Sequence, residues 1–170
     1  MIGIKLLLDD PYKFFRKNKP RIAETLAYAA LISAVFAALN EVSIYFGFNP
    51  ATLVYGHFET AFIIFASLFA GFLIVAIPFA LISQKKVNSK TYQKSLFVLV
   101  HAATPFMLFG WIPHAAIKVI LLAWTFAFLA IGIHIQMKRT SRDSLLITLA
   151  IYIIIAVISV FSQNYVLAPV

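Results

Sequence analysis

Five long apolar runs, separated by short polar stretches, organise the chain: about 22–44, 58–83, 95–112, 115–136 and 144–162. Each is close to the roughly 20 apolar residues that a helix needs to cross a bilayer. None shows the strict alternation, over about 9–11 residues, of a membrane β-strand. Inside hydrocarbon every backbone polar group must be bonded within its own segment, which predicts α-helices. The expected fold is therefore all-α, an integral membrane bundle of five transmembrane helices over residues 22–170, preceded by a basic N-terminal segment over 1–21. No internal repeat and no polar stretch long enough for a separate domain interrupts it.

The polar stretches carry the charge, and they carry it unevenly. Lys5, Lys13, Arg16, Lys17, Lys19 and Arg21 precede the first run; Lys85, Lys86, Lys90 and Lys94 follow the second; Lys138, Arg139 and Arg142 follow the fourth. The intervening stretches, "YFGFNPATLVYGH" and "GWIPHA", have no Lys or Arg, and Lys118 alone breaks the pattern. With five spans all three basic regions fall on one side, which the positive-inside rule assigns to the cytoplasm, leaving the C-terminus outside a cell membrane. Tyr45, Phe46, Phe48, Tyr55, Phe58 and Trp111 gather near the opposite boundary, as interfacial aromatics do. Asn49-Pro50 can open a short interfacial helix there before Gly56 turns the chain.

Composition agrees: 62% of residues are hydrophobic and 12% charged, against about 25% charged in ordinary soluble domains. The net charge of +8 has a sufficient reason in topology, so no nucleic acid is expected. There is no Cys and hence no disulfide framework. The first apolar patch, "IGIKLLL", is too short for a cleavable signal.

The opening segment has a second property. Asp10 is placed to cap a helix with Pro11 at its first position. On that helix Tyr12, Phe14 and Phe15 occupy one arc and Lys13, Arg16 and Lys17 the other. Such a short amphipathic helix is expected in the headgroup layer, with Pro11, Tyr12, Phe14, Phe15, Arg16 and Lys17 at the membrane interface and anionic lipid as partner.

Polar groups within the runs are the candidate chemistry, because ionisable groups at membrane depth are costly. His101 is the deepest, followed by Thr104 and Pro105. The proline frees a backbone carbonyl that Thr104 or His101 can satisfy, and a proton or ligand site is the sharper alternative. A second group, Glu41, His57, Glu59, His114 and Lys118, lies toward the cation-poor side, with Lys118 expected to pair with Glu59 or Glu41. His57-x-Glu59 with His114 offers metal-ligand types, but i and i+2 do not share a helix face, so no metal and no cofactor is expected. No nucleophile–base pair, phosphate loop or carboxylate pair suggests an enzyme.

The order "DDPYKFF", first span, aromatic loop with "FNP", long second span and basic loop running into "SLFVLVHAATPFML" resembles the Yip-domain family, the Ypt/Rab-interacting polytopic membrane proteins with prokaryotic relatives. Ala102, Ala103 and Pro105 match a small-residue pair and proline early in the third span; His101 stands where an aromatic is commoner. Trp124, Gly132 and "RTSRD" also fit. The resemblance implies five spans with a cytoplasmic N-terminus. Its eukaryotic members are associated with small Rab-type GTPases and with the shaping or sorting of trafficking membranes, through a longer N-terminal region than residues 1–21; the composition suits an archaeal or bacterial relative. The expected role is a non-enzymatic membrane scaffold acting through helix packing, a membrane-protein partner or self-association. The alternative is a small transporter or channel for protons, ions or lipid, using the polar groups of spans one to four.

Overall fold

The computed structural model describes residues 4–47, 56–84 and 87–166, with side chains as far as residue 153. These form α1 (Ile4–Asp9), α2 (Pro11–Lys17), α3 (Ile22–Tyr45), α4 (His57–Gln84), α5 (Ser89–Phe109), α6 (Ala115–Gln136) and α7 (Ser141–Val166), with no strand among the described residues. The five apolar runs match α3 to α7. Phe48, the Asn49-Pro50 helix start, Tyr55, Lys85 and Lys86 lie outside the described residues.

Local chemistry sets most of the helix ends. Asp10 accepts from the backbone N–H of Lys13 at 2.8 Å, with Pro11 in the first turn, as the sequence predicts. α5 starts at Ser89, earlier than the apolar run, because Asn88 and Thr91 form a reciprocal capping box. The hydroxyl of Thr140 accepts from the N–H of Asp143 at 3.1 Å, which starts α7 at Ser141. Between α6 and α7 the chain reverses through Lys138, whose φ of 54° is left-handed, while His134 Nδ1 lies 2.6 Å from the carbonyl oxygen of Arg139 and bonds it.

α3, α4 and α6 are long and apolar enough to cross a membrane. At 28 residues α4 is about 42 Å long. α5 and α7 begin with polar turns, "SKTYQK" and "SRDS", which dilute their apolar character. The helices alternate in direction, so the start of α3, the end of α4, the start of α5, the end of α6 and the start of α7 share one end. That basic end is laced by side-chain bonds to backbone carbonyls. Gln93 donates to Pro20 at 2.7 Å, Gln84 to Met137 at 3.2 Å, and Arg139 Nε to Ser83 at 2.8 Å. At the opposite end the Ser43 hydroxyl reaches the carbonyl of Trp111 at 3.4 Å.

Candidate functional site

The N-terminal helices do not lie apart from the bundle. α2 packs against α6, and α1 packs against α2. Leu7, Phe14 and Phe15 are buried within the protein, in one cluster with Phe97, Val98, Phe128 and Ile133. This corrects the placement of Phe14 and Phe15 in the headgroup layer. Their arc on α2 faces other side chains of the same chain, while Tyr12, Lys13, Arg16 and Lys17 are exposed. The reason is visible at Gly132 in α6. A Cβ there would come within 2.7 Å of Val98 Cγ1 and 3.2 Å of Phe15 Cζ, so the missing side chain is what lets the Phe15 ring and α5 approach α6. Gln136, a turn further on, donates to the carbonyls of Phe15 and of Asn18, the latter at 2.9 Å.

Phe14 reaches further, into a box around His101. The His101 imidazole is 1% exposed. Its ring centroid lies 4.3 Å from Phe97, 5.1 Å from Phe14 and 4.5 Å from Tyr28, with the Tyr28 ring stacked parallel to within 5°. Nδ1 bonds the carbonyl of Phe97 at 2.7 Å. A carbonyl only accepts, so Nδ1 carries the proton and Nε2 presents a lone pair, which has no hydrogen-bond partner. Beside it Thr104 donates to the carbonyl of Val100 at 3.3 Å, so Tyr28 is the donor in the 2.8 Å bond between its hydroxyl and Thr104. Neither Thr104 nor His101 takes the carbonyl of residue 101 that Pro105 leaves free. Both bond earlier carbonyls of α5 instead. Tyr28 joins α3 to α5 across this box, and sequence reasoning missed it: nothing near Tyr28 marks a partner 76 positions away.

The second polar group does not assemble as expected. Glu41 pairs with His57, Oε2 to Nδ1 at 2.9 Å. Glu59 turns back to accept from the N–H of Gly56 at 2.9 Å, capping the start of α4. Lys118 makes no ion pair with either carboxylate, and His114 precedes α6 without a side-chain cap. One carboxylate meets the nearest imidazole and the other its own helix end; Glu41 Oε1 keeps no partner, and Lys118 does not reach it. Among the described residues no three His, Asp or Glu side chains converge as metal ligands do. The exposed rings of Tyr45, Phe46 and Phe58 cluster at this end, whereas Trp111 is half-buried and donates to the carbonyl of Leu108 at 2.9 Å.

The basic end has its own electrostatics. Partial burial holds the Lys94 ammonium below the usual lysine range, and the like charges of Lys90 and Lys138 push the same way. Arg21 is raised by its 2.8 Å hydrogen-bonded pair with Glu24. The chemistry on offer is thus a sealed aromatic box beneath the N-terminal helices and a cation-rich surface around them.

No curated protein and no solved structure matches the chain. The family model described as the Yip1 domain matches residues 5–162, from the second described residue of α1 into α7. It takes in the N-terminal helices, the His101 box and the basic end alike, and by that match the chain belongs to the Yip1-domain family.

Proposed function

We infer that the protein spans the cell membrane five times, with its basic end in the cytoplasm, and works as a non-enzymatic scaffold that organises membrane through helix packing and partner binding. The family is associated with membrane trafficking, which agrees with that role. The observation that carries the reading is how the polar groups within the bundle are used. His101 is closed in by Phe14, Phe97 and Tyr28, its one proton is committed to a backbone carbonyl, and the Glu41–His57 pair stands apart from it on other helices. A relay needs titratable groups within hydrogen-bond reach or joined by water, and the hydroxyls beside this box, of Tyr28 and Thr104, bond each other and the carbonyl of Val100 instead of His101. The cations, by contrast, are concentrated where headgroups and soluble partners meet the protein. Exposed Lys13, Arg16, Lys17 and Arg142 present that surface to anionic lipid.

Purified protein in liposomes tests the role. Under proton, potassium and sodium gradients, and with a fluorescent lipid in one leaflet, flux should equal that of empty vesicles. Flux above that level which His101→Ala abolishes would establish a transporter and overturn the scaffold. Topology is tested separately: a tag after Val170 should be cut by protease added to intact cells, and a tag before Met1 should survive.

A further inference from the structure

Between the midpoints of four helices the bundle is hollow. A cavity of about 670 Å³ lies between α4, α5, α6 and α7. It is kept open by small residues: Gly71 on α4, Ala102 and Ala103 on α5. Its few polar atoms are the hydroxyls of Ser67, Thr125 and Tyr152. Of these Tyr152 is committed to the carbonyl of Leu122 at 2.9 Å, and the buried Thr125 hydroxyl has no partner. The other lining side chains are apolar. The cavity also has a doorway. Among the described residues α4 makes few contacts with α7, and Val75 on α4 and Leu122 on α6, both lining the cavity, are 38% and 46% exposed.

We propose that this cavity holds one hydrocarbon chain of a membrane lipid, which enters sideways beside α4, past Val75 and Leu122. The inference rests on the membrane-spanning reading and adds a ligand to it. Gly71 and Thr125 sit at the middle of α4 and α6, so in a spanning bundle the cavity lies near the centre of the roughly 30 Å hydrocarbon layer. Only acyl chains and other protein are present at that depth. Filling the cavity with water is disfavoured, since each molecule needs two to four polar partners and the walls offer two uncommitted hydroxyls, enough for one water at most. A helix from a second copy is too large. At about 10–12 Å across and 5.4 Å per turn it fills roughly 400–600 Å³ per turn, so little more than one turn would fit. A methylene occupies about the ~30 Å³ of a water molecule in the liquid, so the space suits a single chain of roughly twenty carbons. A cavity of this kind is costly empty, because its walls lack dispersion partners.

Photolabelling of the full chain tests this. The protein is placed in vesicles of phosphatidylcholine and phosphatidylglycerol with a trace of phosphatidylcholine carrying a mid-chain diazirine, and adducts are mapped by mass spectrometry. Leu99 on α5 and Thr125 on α6 line the cavity and are half-buried, so a chain inside it can reach them. Adducts at these residues are expected, with Phe62 and Ile120 on the outer surface as internal reference. Gly71→Leu should lower the Leu99 and Thr125 adducts about tenfold and leave Phe62 and Ile120 unchanged, since a Cβ at Gly71 meets nothing within 4 Å and Gly71 lines the cavity. Ala103→Phe fills it from the opposite wall and should do the same. Absence of adducts at Leu99 and Thr125, or adducts indifferent to both substitutions, overturns the proposal, as does intermolecular cross-linking through the doorway, which would make a second copy the occupant. A failed protease-tag experiment would instead strike the span count and orientation, so the two failures are told apart.

Discussion

The two ends of α4 live in different surroundings. Toward Gln84 it buries Ala76, Phe79, Ala80 and Ser83 against its neighbours, and around it the basic end is closed by aromatic rings, a close approach at Gly132 and a row of glutamine and arginine bonds to carbonyls. From His57 to Val75 it buries no residue, and the flank beside it opens into the cavity. Both halves are predominantly apolar in sequence. The difference lies in what faces them. In hydrocarbon there is little hydrophobic gain from bringing two apolar helices together, so close contact forms where small residues and polar bonds provide it. The basic end has both. The flank of α4 has small residues such as Ser67 and Gly71 but few bonds to its neighbours, the Tyr92 hydroxyl to the carbonyl of Leu73 and the His57–Glu41 pair, and lipid is an adequate neighbour for it.

That contrast is easiest to break with phenylalanine. Phe15 is fully buried, with its ring 6.0 Å from Phe97 and against Gly132. Phe15→Ala leaves a cavity that the backbone cannot close, at a cost of about 3–5 kcal/mol. For a chain of this length that lowers Tm by about 10 °C, measurable by thermal unfolding in mild detergent. Phe62 on α4 is 59% exposed, and Phe62→Ala should move Tm by no more than a degree or two. Equal losses at the two positions would mean that the ends of the bundle are not organised differently.

Glycine gives a finer version of the same comparison. Gly132→Ala adds a Cβ 2.7 Å from Val98 Cγ1, an overpacking strain of about 1–3 kcal/mol. Val98→Ala in the same chain should recover part of it. Gly71→Ala meets empty space and gains helix propensity, so stability is unchanged or up by as much as about 1 kcal/mol. Opposite signs at two helix-interior glycines, read as urea or thermal midpoints, are the expected outcome.

The helices were legible in the sequence because hydrocarbon leaves the chain few choices. Length, apolarity and capping residues such as Asp10 locate an element without knowledge of its neighbours, and α6 spans the residues its apolar run predicts. The site was less legible, because a helical wheel separates faces but cannot say what an apolar face meets. Phe14 and Phe15 look alike whether lipid or Phe97 lies opposite. Gly132 was a usable signal, since a glycine inside an apolar helix asks for a large partner, and so were Gln93 and Gln136, amides near helix ends without a charge partner. Tyr28, the Glu41–His57 pair and the cavity depend on which helices are neighbours, and a single apolar sequence does not encode that in any local pattern.

The smallest effect tests the electrostatics of the closed end. Lys94 is partly buried near Lys90 and Lys138, and all three lower its proton affinity in the fold. The folded state therefore holds this proton less tightly than the unfolded chain, so the ammonium costs stability at neutral pH. As pH rises from the lowered folded value toward 10.5 the cost is relieved. Lys94→Met should raise Tm by about 1 °C at pH 7, a small shift because the group is mostly in solvent. The gain should vanish above pH 10.5, where the folded and the unfolded chain have both released the proton. It should also shrink when phosphatidylglycerol is added, because anionic headgroups neutralise the cluster that makes the charge unfavourable. A gain that persists at high pH and in anionic lipid would mean that the methionine packs better than the lysine stem, and that like charge is not what loosens this corner of the basic end.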